Sequence, residues 1–269
     1  MSDKEFHTLA NFIESELGIR MPETKRVMLE SRLLKRIRQL GLPDFAAYVN
    51  FVFSEEGKAG ELINMIDAVT TNKTDFFREA DHFDFLLERI LPSLAPGNTR
   101  RFWSAGCSTG EEPYTLAMVL EEYREKVPAF SWSIMGSDLS TKVLDKAVEG
   151  VYTEDQAAPI PLSFKRKYLM RSKNRDQALV RIKPELRSRM AFSRVNFMDK
   201  VWPVEGYFDV VFCRNVIIYF ERRIQEEIIG RLLGKLRPEG WLILGHSESV
   251  AGMNLPMRSV APTVYRKIA

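Results

Sequence analysis

From about residue 98 onward the chain alternates short apolar runs with amphipathic stretches of helical period: RRFWSAG, then EEPYTLAMVLEEYREKV, then FSWSIMGSDLS, then TKVLDKAVEGVY. Parallel neighbours need a long crossover, usually a helix, to bring the chain back to the same edge. The alternation therefore predicts an α/β domain built on a doubly wound sheet. Further strands are expected at RMAFSRVNF, FDVVFCRN, GWLILGHSE and TVYRKI, with RRIQEEIIGRLLGKL as the helix before GWLILG. The stretch from about 152 to 190 breaks this rhythm with basic, loop-like sequence and reads as an inserted subdomain.

Ahead of residue 75 the period is helical. Phe6, Leu9, Phe12 and Ile13 recur at three- and four-residue steps, as do Leu29, Leu33, Leu34 and Ile37. Gly18 and Gly41 are helix stops, and Pro43 with Asp44 marks the start of another helix. These signals divide the chain into a small helical domain over 1–75, a linker with a helix over 76–98 and the α/β domain over 99–269. No apolar run approaches the ~20 residues of a membrane span, so direct membrane insertion is not expected. The N-terminus, MSDKEFHTLANFIESELGI, is acidic and amphipathic where a secretory signal would be basic and then apolar, which predicts a cytoplasmic protein. The two cysteines form no CxxC pair, and with three scattered histidines they make no recognisable metal set, so no metal is expected. A net charge of +3 gives no general support to a nucleic-acid partner.

The most informative turn is Ser104-Ala-Gly-Cys-Ser-Thr-Gly-Glu-Glu-Pro113, which follows the first expected strand and opens a helix. Its glycines let backbone approach a ligand, and such crevices are where open α/β sheets bind one. The spacing, Gly106 to Gly110, is neither GxGxxG nor a Walker loop. Charge narrows the choice further, because Glu111 and Glu112 stand where they would repel a phosphate. They suit S-adenosylmethionine, which carries an ammonium, a sulfonium and no phosphate. The alternative is that both glutamates only complement the helix dipole.

Asp138, ending the next strand in MGSDLS, is placed to accept from ribose hydroxyls, or to cap the following helix, a role Ser140 also suits. Asn196 and Phe197 follow the third strand, where an amide beside an aromatic could bind and stack on adenine. The fourth strand ends at Arg214 and Asn215, with Tyr219 one turn on.

Four segments then carry a resemblance: Thr70-Thr-Asn-Lys-Thr-Asp-Phe-Phe-Arg-Glu79, Ser104 to Tyr114, Cys213-Arg-Asn-Val-Ile-Ile-Tyr-Phe220 and Gly245-His-Ser-Glu-Ser249. In this order they resemble the signatures of chemotaxis receptor methyltransferases of the CheR type, across nearly the whole chain. The resemblance implies a Rossmann-like methyltransferase domain with an all-helical N-terminal domain and a small inserted β subdomain. It implies methyl esters formed on receptor glutamates, with S-adenosylhomocysteine as the other product. The cofactor site it implies comprises Asn72, Thr74, Arg78, Gly106, Glu112, Asp138, Asn196, Phe197, Arg214 and Asn215. Arg78 and Tyr219 would lie by the methyl donor, in catalytic positions. A glutamate carboxylate is ionised at neutral pH, its pKa being ~4.3, so its attack on the methyl needs no general base. That accounts for a sequence in which no convincing base stands out.

The segment from Lys25 to Arg38 reads as a helix with one basic and one leucine face. Such a run is ordinarily a solvated face. The resemblance makes Arg32, Lys35, Arg36 and Arg38 candidates for contact with the acidic cytoplasmic helices of the receptor. Enteric-type relatives also dock a receptor tail on the inserted subdomain, but YLMRSKNRDQALVRI lacks the glycines such an approach favours. A monomer is expected. Three other functions compete. A nicotinamide dehydrogenase is opposed by the glutamates after the glycine turn. A nucleic-acid methyltransferase is opposed by the missing Asn/Asp-Pro-Pro-aromatic sequence after the fourth strand. A regulatory domain binding S-adenosylmethionine without turnover is separated only by assay.

Overall fold

The computed structural model describes residues 1–95 and 97–268. Five helices open the chain: α1 (Asp3–Leu17), α2 (Arg26–Gln39), α3 (Phe45–Val52), α4 (Glu55–Ala59) and α5 (Glu61–Val69). Ser2 and Glu5 form a reciprocal capping box at the start of α1, and Gly18 ends it in the left-handed conformation at φ 70°. Asp44 accepts from the Ala47 N–H at 2.8 Å to cap α3, so the Pro43-Asp44 signal is a true helix start. Phe6, Leu9, Ile13, Leu29, Leu33 and Ile37 converge on one core, each fully buried aliphatic contributing about 1.5–3 kcal/mol. Leu34, grouped with that stripe from sequence, is 38% exposed, because it lies one residue, or 100°, round the helix from Leu33.

The basic side of α2 is not one free face. Arg36 enters the helical core, its Nε and Nη2 donating to Glu61 at 2.9 and 2.5 Å, and Tyr48 donates its hydroxyl to the same carboxylate at 3.1 Å. Burial and the adjacent Glu61 push the Tyr48 phenol well above its usual range. Arg32 donates to the Val69 and Thr70 carbonyls at 2.5 and 3.0 Å, satisfying the open C-terminus of α5. Lys35 and Arg38 remain exposed. The expectation of four equivalent surface cations is thus corrected to two internal ties and two surface charges.

The linker folds as α6 (Asp81–Phe85), a π-helical segment (Leu86–Ile90) and α7 (Leu91–Ser93). The domain beyond it contains β1 (Arg100–Ala105), α8 (Glu111–Lys126), β2 (Trp132–Asp138), α9 (Thr141–Glu149), β3 (Val151–Thr153), α10 (Leu162–Tyr168), β4 (Leu169–Arg171), β5 (Leu179–Ile182), α11 (Pro184–Arg187), β6 (Met190–Arg194), β7 (Phe208–Cys213), α12 (Arg222–Lys235), β8 (Leu236–Leu244), β9 (Met257–Ala261) and β10 (Val264–Lys267). The main sheet runs β6-β2-β1-β7-β8-β10-β9. Its first five strands are parallel, and the β9–β10 hairpin pairs antiparallel with β8. Alternate residues of each strand feed opposite cores, Phe102, Ile134 and Val210 meeting α8 while Trp103, Val211 and Leu242 meet α12. The parallel strands with helices between them are what the alternation predicted, and the sheet is the Rossmann-like one that the resemblance implied.

The stretch read as basic and loop-like contains a three-stranded antiparallel sheet, β3-β5-β4. Tyr152, Tyr168, Leu169, Val180 and Ile182 give it a buried side, and Tyr168 ties it to α8 by donating to Glu122 at 2.7 Å. β9 was missed from sequence because MRSVA carries no buried residue and so no apolar alternation.

The helical domain docks against the loops after β6 and β7. Asn196 Nδ2 donates to the Glu16 carbonyl at 2.8 Å, and the Arg20 N–H donates to the Tyr219 carbonyl at 3.0 Å. Replacing Glu61 by Ala should leave Arg36 and Tyr48 facing a void and cost about 3 kcal/mol. Urea unfolding measures this, and a loss below about 0.5 kcal/mol would remove the cluster from the helical core's stability.

Candidate functional site

Chain leaving β1 turns toward β2, chain leaving β7 turns toward β8, and between them a crevice opens at the C-terminal ends of the strands. The turn after β1 bends back so that the Gly106 and Cys107 N–H groups donate to the Ser137 carbonyl at 2.7 and 2.8 Å. Gly106 has φ 88°, and a side chain there would collide with Val216 across the crevice. The residues expected from sequence to bind or position a ligand all line this one cleft: Asn72, Thr74, Arg78, Gly106, Glu112, Asp138, Asn196, Phe197, Arg214, Asn215 and Tyr219.

The helical domain closes the cleft with Leu17, Ile19, Met21 and Met28. Nothing in the sequence marked these residues, since apolar positions near helix ends look like ordinary core.

At the centre is Arg214, its side chain 2% exposed. Its guanidinium donates to Glu79 (Nη2 at 3.0 Å, Nε at 3.3 Å), to Glu112 (Nη1 at 3.2 Å) and to the Arg78 carbonyl. Glu112 also accepts from the Ser104 hydroxyl at 2.6 Å. Burial pushes the Glu112 carboxyl up while Arg214 pulls it down. Burial also acts on Glu79, but Arg214, the Asn215 amide and the His246 N–H outweigh it and hold that carboxyl below its usual range. Glu79 thus pairs with Arg214, while its neighbour Arg78 reaches back to the Lys73 carbonyl at 3.1 Å.

Asp138 accepts from the Ser108 and Ser140 N–H groups at 2.9 and 3.0 Å, clamping the glycine turn to the end of β2. Burial pushes its carboxyl up against those donors. Ser140 is the cap of α9, accepting from the Val143 N–H at 3.4 Å, so the capping role weighed for Asp138 belongs to Ser140. Asn196, besides lining the cleft, ties the domain junction: its Nδ2 donates to the Glu16 carbonyl at 2.8 Å, while its Oδ1 accepts from the Met198 N–H of its own loop at 3.0 Å.

Two carboxylates that carry much of the local architecture had no signal in the sequence beyond lying in the resembling segments. Glu79 is one. The other, Glu248, is 5% exposed and accepts four backbone N–H groups: Gly245 at 2.6 Å, Val216 and Ile217 at 2.8 Å, and Asn215 at 2.9 Å. Burial pushes its carboxyl up and these four donors oppose it. The turn that carries Asn215, itself left-handed at φ 59°, is wrapped around this single side chain. The histidines also depart from expectation: His82 and His246 are not scattered, their ring centroids lying 4.8 Å apart beside Glu79. Burial, with Arg214 nearby, pushes the His82 imidazole down to about 4.

Glu248→Gln places an amide NH2 against N–H donors and leaves at least one of them unpaired. It should destabilise the protein by about 1–3 kcal/mol and weaken S-adenosylhomocysteine binding through displacement of Asn215. Unchanged unfolding and unchanged titration together would contradict the wrapped-turn reading.

Comparison with known proteins gives two matches that together span the chain. Residues 4–70 match the family model "CheR methyltransferase, all-alpha domain", and residues 72–266 match "CheR methyltransferase, SAM binding domain". A chemotaxis protein methyltransferase of Borreliella burgdorferi is 37% identical over 98% of this chain and 94% of its own length. One from Escherichia coli is 37% identical over 98% of this chain and 91% of its own, and one from Klebsiella aerogenes is 39% identical over 98% and 90%. With both family models matched in order and relatives aligned almost end to end, the chain belongs to the CheR methyltransferase family and is an S-adenosylmethionine-dependent methyltransferase.

Proposed function

We propose that this protein, acting as a cytoplasmic monomer, methylates glutamate side chains on the cytoplasmic helices of chemotaxis receptors. The observation that carries the reading is that Arg78 and Tyr219 line the same cleft as Gly106, Glu112 and Asp138. A cation and a phenol thus stand beside a site suited to a phosphate-free cationic cofactor. The names of the relatives, chemotaxis protein methyltransferases, support the same substrate system.

The cleft fits S-adenosylmethionine in its donor set. Asp138 ends β2 with lone pairs to spare for ribose hydroxyls, Glu112 offers negative charge, and Phe197 with the apolar side of the helical domain provides a slot for a base. Asn72, Thr74, Arg78, Gly106, Asn196, Arg214 and Asn215 complete the set that would hold it. When bound, the cofactor supplies a methyl group on a positively charged sulfur. An incoming glutamate, its pKa being ~4.3, is already ionised at neutral pH. The chain's task is therefore to orient and to dehydrate, without removing a proton. Arg78, held from behind by the Lys73 carbonyl, attracts and aligns the carboxylate. Tyr219 donates its hydroxyl to it from the turn after β7, whose backbone the helical domain anchors. Leu17, Ile19 and Met21 keep water from the reacting centre.

For the receptor surface, Lys35 and Arg38 of α2 carry the proposal. They share a shallow groove with Val27, 75% exposed, and Leu34. Exposed cations beside exposed aliphatics suit an amphipathic acidic helix.

Labelled methyl transfer to receptor-bearing membranes, followed by alkali, should release the label as methanol; alkali-stable label would exclude a carboxyl ester. Tyr219→Phe should lower the transfer rate at least tenfold with an unchanged thermal transition, and a rate within about twofold, or ~0.4 kcal/mol, would deny the hydroxyl a role. Reversing Lys35 and Arg38 to Glu should raise the KM for receptor roughly tenfold and leave S-adenosylhomocysteine affinity alone, and added salt should act in the same direction on the unaltered protein. A wild-type KM in that folded variant would discard this face as the contact.

A further inference from the structure

His82 and His246 line no part of the cofactor cleft, yet they sit directly behind it against Glu79. His82, on α6, is 1% exposed, with its Nε2 2.8 Å from the Thr263 hydroxyl. That hydroxyl also lies 2.8 Å from the Pro262 carbonyl, so Thr263 fixes the ring through Nε2 and leaves Nδ1 aimed at Glu79. Nδ1 has no hydrogen-bond partner among the described residues and lies 3.5 Å from Oε2 of Glu79. A buried ring nitrogen aimed at a carboxylate without a hydrogen bond is a position that a coordinating cation can take, since binding one satisfies both atoms.

His246 adds a second imidazole. Its Nε2 is 3.0 Å from Oδ2 of Asp81, and a carboxylate on one ring nitrogen is the arrangement that orients a metal-binding histidine and raises its basicity. Ligand atoms of Glu79, His82 and His246 all lie within 4.8 Å of one another. His246 is 47% exposed, which gives an ion access from solvent. In this corner three carboxylates, Glu79, Glu112 and Asp81, stand against one guanidinium, that of Arg214.

We infer that Glu79, His82 and His246 form a binding site for a divalent transition cation of the zinc type, with Thr263 and Asp81 orienting the two rings. Two imidazoles and a carboxylate favour zinc over magnesium or calcium, which prefer all-oxygen shells, and three protein ligands leave a fourth position for water. The same Oε2 of Glu79 accepts from Arg214, so cation and guanidinium compete for it. An occupied site frees Arg214 from one of its two carboxylates and disturbs the cleft that Arg214 lines. The ion is an inhibitor with no part in the transfer itself.

The test is a calorimetric titration of the full-length, EDTA-dialysed protein with zinc chloride. The unaltered protein should show one saturable site. His246→Ala should weaken it at least tenfold, and Asp81→Asn, which removes only the orienting charge, about tenfold. His7→Ala, at an exposed position of α1, should bind zinc as the unaltered protein does. Zinc should also weaken S-adenosylhomocysteine binding in the unaltered protein and not in His246→Ala, a readout independent of which substrate is methylated. Buried His82 is left in place, so misfolding does not enter. Absence of saturable zinc binding, or equal binding by His246→Ala, overturns the site. Zinc bound with no effect on S-adenosylhomocysteine overturns the competition with Arg214.

Discussion

Arg214 is the one charge on which the site is assembled. A guanidinium at the end of a fully buried strand could not remain there alone, because stripping water from a cation costs far more than any single packing contact returns. It persists because Glu79 reaches it from the linker and Glu112 from the first turn of α8, while the Arg78 carbonyl takes a further N–H. Segments far apart in sequence are thereby forced to meet at one point. Planarity matters as much as charge, since the fork of donors fixes directions that a lysine ammonium would leave free.

Glu248 does for backbone what Arg214 does for side chains. A strand that ends in a left-handed residue followed by a short helical turn exposes several N–H groups in succession, and burying them without acceptors would be prohibitive. One carboxylate gathers four of them. The cleft's polar edge is therefore rigid for two reasons of different kind, ion pairing on one side and backbone capture on the other.

What the sequence revealed follows from what is local. The glycine turn, the glutamates behind it and the acid closing the next strand were legible because turn chemistry and charge operate within a few residues, and strands such as FDVVFC declare themselves by continuous burial. The sheet's parallel character followed from helices falling between strands. Other features depend on partners no local pattern names. Arg36 looked like surface until Glu61, 25 residues on, claimed it. Asn196 also ties to the Glu16 carbonyl, 180 residues back, a partner that its own surroundings in sequence do not name. His82 and His246 looked unrelated because only the fold brings α6 against the turn that follows β8. The strand MRSVA escaped notice because an exposed edge strand needs no apolar alternation.

The junction between Arg20 and Tyr219 bears on how the chain can be taken apart. The helical domain resembles a detachable module, with its own core and a single connection through residues 70–80. Yet its segment just after α1 is hydrogen-bonded to the backbone of the phenol-bearing turn, and Glu16 grips the loop after β6. A chimera that exchanges helical domains would thus disturb the cleft unless residues 16–20 travel with the recipient's α/β half. The cut that leaves the cleft intact lies inside the first domain, some fifty residues before the boundary that its compactness suggests.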